Sequence, residues 1–242
     1  MQDDRTGGYS RKTLAVTGVA MALLGGLSAW NWQASRTSSI EKVVHAYILS
    51  HPEILPEAMA NLRKQEDARQ LAGISGDLKQ PFPGAVLGNP DGKVTMVEFS
   101  DFACTYCRQS EAEVAALIQS NPDLKVVIRQ LPILSPASAD AARMGLAAAR
   151  QGRYAAYHHA MYAGGRPDAA SIESAARTAG LDLVRAQKDI ADPAIAAEID
   201  RNLEFARKLG FEGTPSWVIG EEIHAGAVGR EVLAAAIAKA RG

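Results

Sequence analysis

Cys104 and Cys107 are the only two cysteines in the 242 residues, and they stand as Cys-Thr-Tyr-Cys where a strand-like run meets a helix-like one. The run Val94 to Phe99, Val-Thr-Met-Val-Glu-Phe, is β-branched and apolar enough for a buried strand. From Arg108 to Ser120 there is neither proline nor glycine, and Val114, Leu117 and Ile118 recur at helical spacing. Cys104 therefore falls at a helix N-terminus, where unpaired N–H groups and the positive end of the dipole stabilise a thiolate. It reads as the nucleophile, and Cys107, one turn later, as the resolving thiol. A zinc site would need further ligands, and none of His45, His51, His158, His159 and His224 stands at a spacing that complements the pair. A purely structural disulfide would close a loop too short to contribute much chain entropy. The context favours a redox dithiol, with no metal and no cofactor.

Two features elsewhere bear on the same chemistry. Gly213-Thr214-Pro215 precedes the apolar run Ser216-Trp217-Val218-Ile219, so a proline stands at a strand entry, where it need not donate to the ladder. The Thr214-Pro215 bond can be cis there, or an ordinary trans bond in a loop. Glu98 is the one charged side chain in the run Val94 to Ser100. Alternation groups it with Val94 and Met96, leaving two readings: a solvated acid on an edge strand, or a buried carboxyl whose proton affinity is raised.

The run Glu98-Phe99-Ser100-Asp101-Phe102-Ala103-Cys104-Thr105-Tyr106-Cys107, with Thr214-Pro215, resembles the DsbA-like thiol-disulfide oxidoreductases of the thioredoxin-fold superfamily, from about Pro83 to the C-terminus. The resemblance implies an α/β fold of thioredoxin type with an inserted helical domain. It implies a cis-proline loop facing the dithiol, where the backbone beside Thr214 pairs with an extended substrate. Thr105, Tyr106, Thr214 and Pro215 would then contact substrate, and Glu98 would be the buried acid that moves the proton of the resolving Cys107. The strongly oxidising members carry Pro-His between the cysteines. Thr105-Tyr106 supplies no imidazolium, which points to a less depressed Cys104 thiolate and a less oxidising disulfide. A tyrosine before the second cysteine and a threonine before the proline are both found in disulfide isomerases.

The N-terminal part sets the expected compartment. Residues 1–12 end in Arg11-Lys12, and residues 13–31 are uncharged and mostly apolar, long enough for a marginal membrane span. The positive flank keeps 1–12 cytoplasmic and exports the remainder. Gly26 and Ser28 make a weak cleavage site, whereas Trp30 and Trp32 suit an interface, so an uncleaved signal anchor is expected over a signal peptide. The protein is then periplasmic, anchored in the inner membrane, and works in an oxidising compartment.

Residues 32–66 read as an amphipathic helical stalk. Ile40, Val43, Val44, Tyr47 and Ile48 recur at helical spacing, and a second helix starts near Pro56. Too small to fold alone, the pair docks, acts as a spacer, or self-associates through residues 40–62. The stretch Val43 to Leu55 resembles the N-terminal segment of ScsC-type proteins, and some relatives oligomerise through it. Residues 67–82, polar and punctuated by Gly73 and Gly76, read as a linker. The catalytic domain occupies 83–135 and 208–242, interrupted by an alanine-rich helical insertion over 136–207.

His158-His159 lies beside Tyr154 and Tyr157 with no visible partner, and a solvated or packing role is expected for it. A formal charge of −1 leaves no nucleic-acid footprint. Expected partners are unfolded or reduced secreted proteins and a membrane redox protein that recycles the dithiol. Beside disulfide exchange in general stand two narrower alternatives, an oligomeric ScsC-like isomerase and a tethered chaperone whose dithiol is secondary.

Overall fold

The computed structural model describes Met21 and residues 40–241. The expected membrane segment at 13–31, apart from Met21, lies outside the described residues; among those described, no helix is long and apolar enough to cross a membrane. The chain divides into two units, Met1–Asn61 and Leu62–Gly242.

In the first unit residues 40–50 are helical (α1), and after the break at His51-Pro52 a second helix begins, α2 (Ile54–Leu71). Along this unit Ile40, Val43, Val44 and Tyr47 are exposed at helical spacing on α1, and Leu55 and Met59 likewise on α2.

The second unit is built on five strands: β1 (Val86–Gly88), β2 (Val94–Ser100), β3 (Leu124–Gln130), β4 (Ser216–Ile219) and β5 (Glu222–Ala225). Their order is β1-β3-β2-β4-β5, with β2 parallel to β3 and every other pairing antiparallel. The parallel pair is joined by a crossover helix, α4 (Thr105–Ser120), which follows the short α3 (Ser75–Leu78) in chain order. Between β3 and β4 come five helices: α5 (Pro136–Arg150), α6 (Tyr154–Ala163), α7 (Ala169–Thr178), α8 (Leu183–Ile190) and α9 (Pro193–Lys208). α10 (Arg230–Ala240) closes the chain. Ser135 caps α5 by accepting from the Ser138 N–H, with Pro136 in the first turn, as the Ser-Pro pair leads one to expect.

Period-two alternation sorts β2 onto two cores. Val94 and Met96 face a cluster that takes in Val114 and Leu117 of α4, Leu233 and Ile237 of α10, and the insertion helices. Val97 and Phe99 face the other way, onto Phe205, Leu209 and Phe211, with Phe99 and Phe211 edge to face at 5.1 Å. The insertion also lies directly on the turn that leads into β1. Gly84, at φ +86°, brings its backbone so close to the last turn of α5 that a Cβ there would stand 2.4 Å from the Ala149 carbonyl oxygen.

The stretch expected to be a linker, 67–82, is instead part of this body. α2 runs on to Leu71, Gly73 at φ +76° ends it, and Leu71 and Leu78 are buried in the second cluster. The Asp67 carboxylate accepts from the Ile223 N–H at 3.1 Å. The polar composition is real, but three widely spaced anchors hold the segment, and an average over the window hides them.

Arg129, fully buried on β3, completes the attachment. It donates to Glu198 at 2.6 Å and Asn202 at 3.2 Å on α9, and to the carbonyls of Asp77 at 2.6 Å, Leu78 at 3.0 Å and Gln80. Removing one member of such a group leaves the others buried and unpaired. Arg129→Met is expected to lower unfolding stability by about 3–5 kcal/mol in a denaturant titration of the full chain, with part of the loss recovered in Arg129→Met/Glu198→Leu.

Candidate active site

β2 ends at Ser100, and the chain turns through Asp101-Phe102-Ala103 into α4, whose N-cap is Cys104 itself, extended at φ −77°, ψ 121°. The turn is fixed by the buried Asp101. Its carboxylate accepts from the N–H groups of Ala103 at 2.8 Å, Ile133 at 2.9 Å and Leu134 at 3.0 Å, and its carbonyl accepts from Cys104 at 2.9 Å. One side chain thus ties the dithiol loop to the segment leading into α5.

Both cysteines are free thiols. The Cys107 N–H donates to Cys104 Sγ at 3.3 Å, as expected of a thiol at a helix N-terminus. The Cys104 thiol donates in turn to the Thr214 carbonyl oxygen at 3.1 Å, across 110 residues of chain. The Thr214-Pro215 bond is cis. Antiparallel pairing explains the meeting: Phe99 lies opposite Ser216, so the residues leaving β2 stand beside those entering β4.

The Cys104 sulfur is held well below the ordinary cysteine value of 9.0, at about 5. The Cys107 thiol does most, by hydrogen bonding to the thiolate; burial opposes it; the Thr214 side chain and the N–H groups of Cys107 and Tyr106 add to it. The Thr214 hydroxyl is buried with no other partner, free to serve this charge. The expectation of a less depressed thiolate without an imidazolium meets this set of donors, which does the work that the missing histidine would do. Cys107 moves the opposite way, pushed up first by burial, then by its role as donor to Cys104 and by the Glu98 charge. Nucleophile and resolving thiol are thereby separated electrostatically.

Glu98 takes the buried alternative. It is 3% exposed, opposite Ile128 on β3 and Trp217 on β4, and is pushed up to about 8 by burial, then by the charge of Glu111, with Ser100 opposing and Cys104 adding. At neutral pH it holds a proton close to the dithiol. Thr105 and Tyr106 are exposed, Tyr106 at 62%, while Pro215 is buried and Thr214 half-buried. Trp217 is core, its indole N–H donating to the Gly226 carbonyl at 3.1 Å. Three further residues belong to the surroundings of the site. Asp101 carried a weak signal in its place three residues before Cys104, whereas Glu111 and His158, bonded to each other across 47 residues, carried none. Among the described residues no three potential ligands gather into a metal site.

The chain belongs to the thioredoxin family, whose model, described as Thioredoxin, matches residues 82–239. A second model, described as Copper resistance protein ScsC N-terminal domain, matches residues 37–69. Among solved structures, a thioredoxin-like oxidoreductase from Silicibacter pomeroyi DSS-3 is 42% identical, with a TM-score of 0.62, covering 64% of this chain and 91% of that one. The catalytic domain of Proteus mirabilis ScsC is 28% identical, TM-score 0.64, covering 72% of this chain and 97% of that one. The thiol-disulfide exchange protein alpha-DsbA2 from Wolbachia pipientis is 27% identical, TM-score 0.66, covering 74% and 97%. The curated relatives are Na(+)/H(+) antiporters such as NhaA 1 of Salinispora arenicola, 32% identical over 190 residues, and the chain spans 29% of that protein's length.

A thiolate with this affinity forms well below neutrality. Its lowered value contributes stability to the reduced protein that is present above the unfolded thiol's range and is lost as pH falls through about 5. Ultraviolet titration of the reduced protein is expected to show one thiolate with a midpoint near 5, absent in Cys104→Ser. In Cys107→Ala, which lacks the main donor, the midpoint rises by about 1–2 units.

Proposed function

We propose that this protein exchanges disulfides with the thiols of other proteins through Cys104 and Cys107. The observation that carries the reading is the Cys104 sulfur at a helix N-terminus, against the Thr214 carbonyl, with the proton-holding Glu98 buried behind it. In the oxidising direction a substrate thiolate attacks Cys104 Sγ, the Cys104–Cys107 bond breaks, and Cys107 leaves as a thiolate that takes its proton from Glu98. A second substrate thiolate then attacks the substrate sulfur of the mixed disulfide. The substrate leaves with its own disulfide, and the Cys104 thiolate is released, so two electrons pass from substrate to protein. The reverse sequence reduces, and attack by the Cys104 thiolate followed by return of the substrate's own thiol isomerises.

Substrate enters as an extended segment pairing with the backbone at Thr214, flanked by Thr105 and Tyr106. The exposed Tyr106 supplies apolar contact suited to unfolded or reduced secreted proteins. We place the protein in the periplasm, tethered to the inner membrane by residues 13–31, where a membrane redox protein resets the dithiol. That placement is supported by the charge asymmetry around 13–31 and by one solved relative, 29% identical, a periplasmic thioredoxin-like protein from Salmonella enterica serovar Typhimurium.

A second, narrower reading is an oligomeric isomerase of the ScsC kind. It is favoured by the ScsC model at residues 37–69 and by the exposed apolar positions between Ile40 and Leu62. The low thiolate value favours instead an oxidant, because a stabilised reduced state makes the disulfide the better electron acceptor.

The reduced full-length protein, in detergent, is expected to restore activity to a secreted test protein carrying scrambled disulfides, and the oxidised protein to introduce disulfides into a reduced one. Cys104→Ser is expected to lose both; retention of either activity would refute the exchange reading. Tyr47→Asp, placed on the exposed apolar face, is expected to dissociate any oligomer seen by light scattering and to abolish isomerisation while sparing oxidation.

A further inference from the structure

Cys107 and Glu111 lie four residues apart on α4 and so share one side of the helix. Facing Glu111, α6 presents two consecutive histidines that grip both of its oxygens: His158 Nε2 lies 3.1 Å from Oε1, and His159 Nδ1 lies 3.0 Å from Oε2. The two differ in their surroundings. His158 is 1% exposed, its ring between Phe102 at 5.7 Å and Tyr162 at 4.9 Å, whereas His159 is 58% exposed. Glu111 itself is only 15% exposed. The bridge therefore runs from solvent to the residues that lead into the dithiol turn, where Tyr162 bonds Ser100 at 2.6 Å and the Asp101 carbonyl at 3.3 Å.

His158 Nδ1 is buried with no hydrogen-bond partner, and an apolar side chain in the same aromatic box would avoid that cost. What an apolar residue would not provide is the grip on Glu111. Burial alone would push the Glu111 carboxyl up, yet the two imidazoles more than offset this and hold it below the ordinary carboxylate value, hence charged. α6 connects this group to Glu98: it carries both histidines and, through Tyr162, bonds Ser100, two residues beyond Glu98 on the same side of β2, and the Glu111 charge adds to the rise in proton affinity at Glu98. The other titratable or charged groups around Glu98 and Glu111 are Cys104, Cys107 and Arg108 at the start of α4, Asp101 in the turn, and Tyr154, Tyr157 and Tyr162 of α6. Arg108 is engaged with the Gly165 carbonyl.

We propose that Glu111, clamped between His158 and His159, is a positioning residue that sets how firmly Glu98 holds its proton, and so the pH at which Cys107 can be deprotonated to attack a mixed disulfide. The inference rests on the exchange reading above for its consequence at Cys107, but its first half concerns Glu98 alone. The histidines are structural to Glu111, and Glu111 is electrostatic to Glu98; none of the three touches the reacting sulfurs.

The test is a titration of the Glu98 carboxyl by carbon NMR in the reduced full-length protein, assigned through its loss in Glu98→Gln. A midpoint near 8 is expected for the wild type. Glu111→Gln removes the like charge, and the midpoint is expected to fall by about 1 unit. His158→Phe, which keeps the shape and removes the donor, is expected to move it in the same direction, and His158→Gln, which keeps a donor at the Nε2 position, to leave it near the wild-type value. A midpoint unchanged in Glu111→Gln overturns the proposal, and this variant decides alone if His158→Phe does not fold. The second readout is the pH profile for release of glutathione from a Cys104–glutathione mixed disulfide by Cys107. Its inflection is expected to shift with the Glu98 midpoint, and a fixed inflection overturns the link to Cys107. An absence of release in the wild type refutes the exchange reading while leaving the Glu98 titration to judge Glu111 separately.

Discussion

β2 is covered on both faces and paired on both edges, with β3 parallel on one side and β4 antiparallel on the other. Apart from the half-buried Thr95 its side chains are shut away from bulk water, so an acid at position 98 is desolvated. The same strand fixes where the chemistry happens. Its C-terminal end delivers Cys104 into the first turn of α4, and its antiparallel edge brings Thr214 alongside. A central strand thus accounts for three properties of the site at once: a buried carboxyl, a sulfur at a helix N-terminus, and a backbone carbonyl from the far end of the sequence.

The two sulfurs show how little charged machinery this arrangement requires. Cys104 is stabilised as a thiolate by a neutral thiol, backbone N–H groups and a hydroxyl, without a cationic side chain in the turn. Stabilisation by oriented dipoles depends on geometry, and the geometry here is held by Asp101, which collects three amides from two segments. Because the main donor to Cys104 is Cys107, the nucleophile is most strongly stabilised when both thiols are reduced.

Much of this was legible in the sequence because it is written in local signals. The Cys-x-x-Cys at a strand-to-helix junction, the proline at the entry to β4, the Ser135-Pro136 cap and the alternation that put Glu98 with Val94 and Met96 each depend on neighbours within a few residues. What stayed hidden depends on distant partners. Glu111 means little until α6 is folded against α4, and His158 then ceases to be a histidine without a partner. Arg129, buried inside a strand, makes sense only with Glu198 and the carbonyls of residues 77–80 in place. The segment 67–82 was misread because polar composition signals solvent exposure on average, while attachment is decided by a few anchors such as Leu71 and Leu78.

The close approach at Gly84 says something about how the catalytic body is put together. Where a side chain would normally cushion a helix against the turn that enters a strand, main chain rests on main chain. The five helices between β3 and β4 are therefore less an ornament hung on a ready-made sheet than a keystone of it. Excising them and rejoining the ends would strip the cover from the entry to β1 and leave its backbone, and the Val94 and Met96 side of β2, facing water.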